Sequence, residues 1–216
     1  LSLHRAIEKK DYEAVNALIK LGADVNTFSE EEDTLFKEMT PLGIAFYMFD
    51  EYSVKALLEA GADVNLKTTA ENTALGEILG YMKDNYFSFD KIPLIEKLLK
   101  LLVDNGLKIN DTVDSKENTA FIKACKSIDE NNLSNGKTLA AVVAKFLLKE
   151  NCDVNLTNLD GQTALMFLCA SRDVESQDLQ IQVLEAGADI EATDKNGNTP
   201  LIYAARNRNA SIGKEM

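Results

Sequence analysis

The sequence has no tryptophan, one histidine, three prolines and three cysteines among 216 residues. A lone His4 leaves no Ser-His-Asp arrangement independent of it and no H-E-x-x-H zinc motif. Cys125, Cys152 and Cys169 are odd in number, and their spacings of 27 and 17 residues fit neither a zinc ligand set nor a redox pair. A reducing compartment follows as the simpler setting. No apolar run approaches the roughly 20 residues needed to cross a bilayer; the longest, Ile95 to Val103, is interrupted by three charges. Cations are in deficit, 23 against 35 acidic residues, and a formal charge of −12 opposes binding to DNA or RNA, whose affinity rests on Lys and Arg neutralising phosphates. EF-hand, Walker and G-x-G-x-x-G patterns are absent as well, so no metal, nucleotide or other cofactor is expected.

What the chain does have is ordinary core-forming content, 45% hydrophobic and 27% charged, arranged as two recurring phrases. "GADVN" stands at Gly22 to Asn26 and again at Gly61 to Asn65. Degraded copies follow as "GLKIN" from Gly106, "NCDVN" from Asn151 and "GADIE" from Gly187, at spacings of 39, 45, 45 and 36. An apolar pair precedes each copy: Leu18-Ile19, Leu57-Leu58, Leu102-Val103, Leu147-Leu148 and Val183-Leu184. This is a helix running into its stop, where Gly or Asn supplies the left-handed backbone that closes it. The second phrase reads "TPLGIAF" from Thr40, "TALGEIL" from Thr73, "TAFIKAC" from Thr119, "TALMFLC" from Thr163 and "TPLIYAA" from Thr199, with "LSLHRAI" opening the chain. A capping Thr followed by Pro is a helix start. Start to stop takes 21 residues in the first two copies, and stop to next start takes 12 in three links, a period of 33.

That period, with a T-P-L-H-x-A signature matched by "LSLHRA" and "TPLIYAA", resembles the ankyrin repeat, a β-turn plus two helices. The resemblance covers essentially the whole chain and implies an all-α repeat solenoid with hairpin or turn connections. A single domain over 1–216 divides into repeats at about 1–34, 35–67, 68–113, 114–157, 158–193 and a partial 194–216. The irregular spacings are then insertions, the largest being twelve residues between Thr73 and Gly106 and eleven between Thr119 and Asn151. Ala6, Ala45, Ala124 and Ala204 let first helices approach closely, with Ile78 and Leu168 as departures. Cys125 and Cys169 follow that small-residue position and Cys152 follows a stop, so all three thiols read as packing groups. His4 matches the family's structural turn histidine. The sixth copy ends at Met216 with its second helix barely begun, from which the sequence suggests a native protein that extends further.

The family implies a non-catalytic scaffold that holds a protein partner on a concave face built from hairpin tips and first helices. By position the candidate contacts are Phe36, Lys37, Met39, Tyr47 and Met48 in the second repeat, Tyr81 in the third, and Lys116, Lys126, Asn198 and Arg206 beyond. The insert around Tyr81, Tyr86, Phe87 and Phe89 adds aromatics that either fold back onto their own helices or serve as interface anchors. Asn26, Asn65 and Asn155 match the residue hydroxylated in some eukaryotic ankyrin repeats. The acidic balance, including Glu30 to Asp33, favours a basic or mixed-charge partner by long-range steering. A monomer without membrane insertion is expected, in the cytoplasm or secreted into a host cytosol. The competing reading is a targeting or regulatory segment of a larger enzyme or host-directed effector.

Overall fold

A computed structural model describes residues 2–29, 36–81, 89–130, 139–171 and 174–206. Among these residues every regular element is helical, and the fold class is an all-α repeat solenoid. The first helices of successive repeats are α1 (Leu3–Glu8), α3 (Pro41–Tyr47), α5 (Ala74–Tyr81), α7 (Ala120–Glu130), α9 (Ala164–Ala170) and α11 (Pro200–Arg206). The second helices are α2 (Tyr12–Lys20), α4 (Glu51–Glu59), α6 (Ile92–Asp104), α8 (Leu139–Lys149) and α10 (Val174–Glu185). The hairpin connections form no strand among the described residues, only isolated antiparallel bridges at Lys67–Thr73 and Thr112–Thr119.

The start phrase works as its residues dictate. The hydroxyl of Thr40 accepts the backbone N–H of Gly43 at 3.0 Å, and Thr73, Thr119 and Thr199 accept from Gly76, Ile122 and Ile202. Each satisfies one of the backbone donors that a helix start leaves unpaired. Pro41 and Pro200 stand at the first helical position, where no N–H is lost. Thr163 breaks the pattern: its hydroxyl is buried and has no hydrogen-bond partner among the described residues.

The stop phrase is equally uniform. Gly22, Gly61, Gly106, Asn151 and Gly187 all have positive φ, from 58° at Asn151 to 91° at Gly106. At each, two backbone N–H groups turn back onto the last helical carbonyls, as Gly61 to Leu58 and Ala62 to Leu57. This double closure satisfies the carbonyls that a helix end leaves exposed. The same closure joins first to second helix around left-handed Lys10 and Phe49, after which Asp11 and Asp50 cap α2 and α4.

The described chain falls into two compact units, and the boundary lies inside α5. The first comprises Leu1–Ile78 and Lys91–Lys108, the second Leu79–Asp90 and Ile109–Met216. In the first, Ile7, Leu42, Ile44, Phe46, Val54, Leu57, Leu98 and Leu99 form the interior. In the second, Phe121, Ile122, Val143, Leu147, Leu165, Met166, Leu179 and Val183 do so. Burying one such side chain is worth about 1.5–3 kcal/mol, and a helix pair acquires that burial chiefly by stacking on its neighbours. Ala6, Ala45, Ala124 and Ala204 are buried, and the larger Ile78 and Leu168 that replace them are buried too. All three cysteines are free and buried, and desolvation pushes the thiols of Cys152 and Cys169 up to about 12.

Candidate functional site

In the second unit, three hairpin tips are each built by one oxygen-bearing side chain at the start of the turn. Asp114 Oδ1 accepts the N–H groups of Lys116 and Asn118, Asn158 Oδ1 those of Asp160 and Gln162, and Asp194 Oδ1 those of Asn196 and Asn198. A residue of positive φ closes each turn: Glu117, Gly161 and Gly197. Thr68 and Glu71 form the corresponding turn in the first unit. These turns hold the tips against the first helices, and the face where tips and first helices meet is where the candidate contacts concentrate.

In the first unit Phe36 lies at a hairpin tip and packs edge-on against Tyr47, the last residue of α3, with ring centroids 5.4 Å apart. Both rings are partly exposed, as is Met48, and Lys37 is exposed. Met39, expected among the contacts, is fully buried and belongs to the core. Its C=O accepts the N–H of Ser29 across the hairpin while its N–H donates to the Phe36 carbonyl, which fixes it at the base of the tip. Lys91 stands over the Phe49 ring at 5.4 Å. His4 is buried with Nε2 at 3.3 Å from the carbonyl of Thr27, a turn contact of the kind expected.

The insert gives less. Tyr81 ends α5, and Phe89 opens a one-turn 3-10 helix, Phe89–Lys91. Tyr86 and Phe87 lie outside the described residues.

In the second unit the tips are joined to one another by main-chain hydrogen bonds, from Leu159 N–H to Lys116 C=O and from Lys195 N–H to Asp160 C=O, both 3.0 Å. Four residues after the capping Thr, the first helices present Lys123, Phe167 and Tyr203 in matching register. Lys123 Nζ sits 3.2 Å from Asp114, and Tyr203 donates to Asp194 at 2.7 Å while accepting from Gln162. Those contacts tie helix to tip. Seven residues after the Thr stand Lys126 and Arg206; Lys126 lies over the Phe167 ring at 5.5 Å. Lys116 and Arg206 are exposed as expected. Asn198, also expected at the surface, is buried and donates both its main-chain and side-chain N–H to Asp194, so it builds the turn instead.

Asn198 is also what holds the Asp194 carboxyl well below the usual range, because its hydrogen bonds favour the charged form. Burial works against ionisation at Asp114, but the hydrogen bonds of Asn118 and the charge of Lys123 outweigh it and its carboxyl is also lowered. Phe167, Leu159, Lys195 and Tyr203 were not singled out from the sequence. The signal for Phe167 and Tyr203 was present in the fixed offset from the capping Thr.

Residues 135–215 match the family described as ankyrin repeats (3 copies). The chain is 30% identical over 135 residues to the Tyrosine-protein kinase HTK16 of Hydra vulgaris, covering 55% of this chain and 16% of that protein. An ankyrin repeat domain from Acinetobacter baumannii AYE superimposes with a TM-score of 0.72 at 23% identity over 98% of this chain and 94% of that one. A chain from the structure of the predatory endopeptidase Bd0816 of Bdellovibrio bacteriovorus in complex with immunity protein Bd3460 superimposes at 0.66, with 25% identity, over 99% and 95%.

Proposed function

This chain is an ankyrin repeat protein, and on that premise we propose that it is a non-catalytic scaffold whose protein partner docks on the face of hairpin tips and first helices. The observation that carries the reading is the partly exposed pair Phe36 and Tyr47, an aromatic pair at the tip and first helix of the second repeat. Aromatic residues of this kind dominate the binding energy of protein interfaces. Lys37 and Met48 border the pair. The lone histidine lies against the Thr27 carbonyl of a turn, and the three thiols are buried. The overall charge of −12 draws a partner with basic or mixed surface by steering. Three free thiols suit a reducing cytosol, the cell's own or a host's.

A second reading has its own support. The relative from Hydra is a kinase of which the aligned chain spans 16%, so an array of this kind also serves as one segment of a larger enzyme. The test is affinity capture on the intact array followed by Phe36→Ala and Tyr47→Ala. A specific partner retained by the intact array and released by both substitutions, with melting unchanged, supports the scaffold. Partners retained equally by all three would remove the assignment of this face.

A further inference from the structure

We propose that the tips and first helices of the second unit bind an acidic, extended polypeptide segment carrying an apolar side chain. The inference rests on the scaffold reading above, with the mixed-charge partner rather than the basic one, and adds the chemistry of the partner segment held by the second unit. The chain as a whole is strongly acidic, yet this face is not. Lys116 and Lys195 project from the two tips that flank the Leu159 tip, and Lys126 and Arg206 stand in the same register of α7 and α11. None of the four has an ion-pair partner among the described residues. The contrast with the second helices is informative: there Lys97 is bridged to Glu51 at 2.8 Å, and Lys145 to Asp178 at 2.7 Å. Lys97 and Lys145 on the second helices are answered from within the chain, as Lys123 is by Asp114, whereas Lys116, Lys126, Lys195 and Arg206 are left for something else.

The opposing charges on the face are few. Asp114 is neutralised by Lys123, and Asp194 is enclosed by Asn198 and Tyr203. Glu117 and Asp160 are the carboxylates that stand exposed within these three turns. Between the cations lie Phe167, partly exposed under Lys126, and Leu159, 43% exposed on the middle tip. A strip with cations at both ends and an aromatic and an aliphatic side chain in the middle matches a segment with carboxylates flanking one greasy residue. A nucleic acid is a poorer occupant because the chain's net charge repels a polyanion at every approach, while a short acidic segment engages only the local field. The strip is also held rigid. Tip-to-tip hydrogen bonds fix Lys116, Leu159 and Lys195 relative to one another, which lowers the ordering cost of binding.

The experiment is selection of a displayed random peptide library, about a dozen residues per member so that an extended peptide at ~3.3 Å per residue crosses all three tips. Selected peptides are then measured by fluorescence anisotropy against the whole chain. Expected are peptides rich in Asp and Glu with one aromatic or aliphatic residue. Their affinity should fall about tenfold or more with K126E/R206E, and fall as salt rises from about 0.05 to about 0.5 M. Binding should strengthen in D160N/E117Q, a gain that misfolding does not produce. Peptides without an acidic excess, or acidic ones indifferent to both double variants, overturn the inference. If such peptides are instead released by Phe36→Ala or Tyr47→Ala, the scaffold reading stands while this one falls. Selection of no peptide at all counts against both.

Discussion

Asn65 fastens the end of the next repeat in its unit: its Nδ2 donates to the carbonyl of Gly106 at 2.9 Å, and its Oδ1 accepts the N–H of Lys108 at 2.9 Å. Asn26 does the same to Gly61 and Asp63, and Asn155 to Gly187 and Asp189. Asn110 accepts from Asp153. The fifth residue of the stop phrase is therefore an inter-repeat staple, filling with one amide the donor and the acceptor that the left-handed stop leaves pointing outward. Substituting Asn155 by Ala removes two hydrogen bonds worth about 1 kcal/mol each. Since the freed groups can be hydrated, a net loss of about 1–2 kcal/mol is expected, read as a lower urea midpoint. Asn155→Asp keeps the acceptor and should lose about half as much.

The hairpin turns predict opposite signs for glycine at equivalent places. Glu71 adopts φ 62° where the later turns have Gly161 and Gly197. A side chain in left-handed backbone costs about 1 kcal/mol, so Glu71→Gly should raise the urea midpoint despite its exposed ion pair with Lys67 at 3.8 Å. Gly161→Ala should do the reverse and by more. Its φ is 74°, and an added Cβ would stand 3.2 Å from the Lys195 nitrogen and 3.3 Å from the Asp194 Cα, both main-chain atoms. A Gly161→Ala chain as stable as the parent would show that the tips move apart freely, and would weaken the rigid strip argued above.

Most of the fold was legible because its signals are local. The stop residue, the capping Thr and the aspartates that start the turns each act on backbone groups within four residues, so their spacing in sequence is their geometry in space. Asn151 shows how far this goes: it is the one stop that is not Gly, and it adopts φ 58° all the same. The site was less legible because exposure depends on neighbours. Met39 and Asn198 sit at tip positions by count, yet the core claims one and the Asp194 carboxylate the other. Phe167 reads as one more apolar residue of "TALMFLC" until Lys126 from the previous repeat is found above it. The asparagine staples were quoted as a motif, but their bonds cross 32 to 43 residues, and no local rule shows the partner.

The thiols give a prediction about reactivity. Burial pushes Cys152 and Cys169 up to about 12 and Cys125 well above its usual value, so the nucleophilic thiolate is scarce in the folded chain at neutral or mildly alkaline pH. Iodoacetamide at about pH 8 should leave all three unmodified by intact-mass measurement, and alkylate all three once the chain is unfolded, where thiols ionise near ~8.5. Rapid modification of any one in the native protein would contradict its packing role.

Acid should unfold the second unit through its turn carboxylates, with the sign set by their lowered values. Asp194 is held below the usual range first by the side-chain N–H of Asn198, and Asp114 is lowered as well. A carboxyl whose native value is depressed releases its proton more readily when folded. Its contribution is complete above the unfolded value of ~3.9 and is lost as pH falls through and below it. Stability followed by urea denaturation should therefore be flat above about pH 5 for these two groups and decline below about pH 4. Asp194→Asn should be less stable than the parent at neutral pH, because the amide cannot accept from Asn198, Asn196 and Tyr203 with both oxygens. The two should converge as acid protonates Asp194 in the parent. Parallel curves over that range would mean that the carboxylate's charge contributes nothing to holding the tip, and that the turn rests on main-chain hydrogen bonds alone.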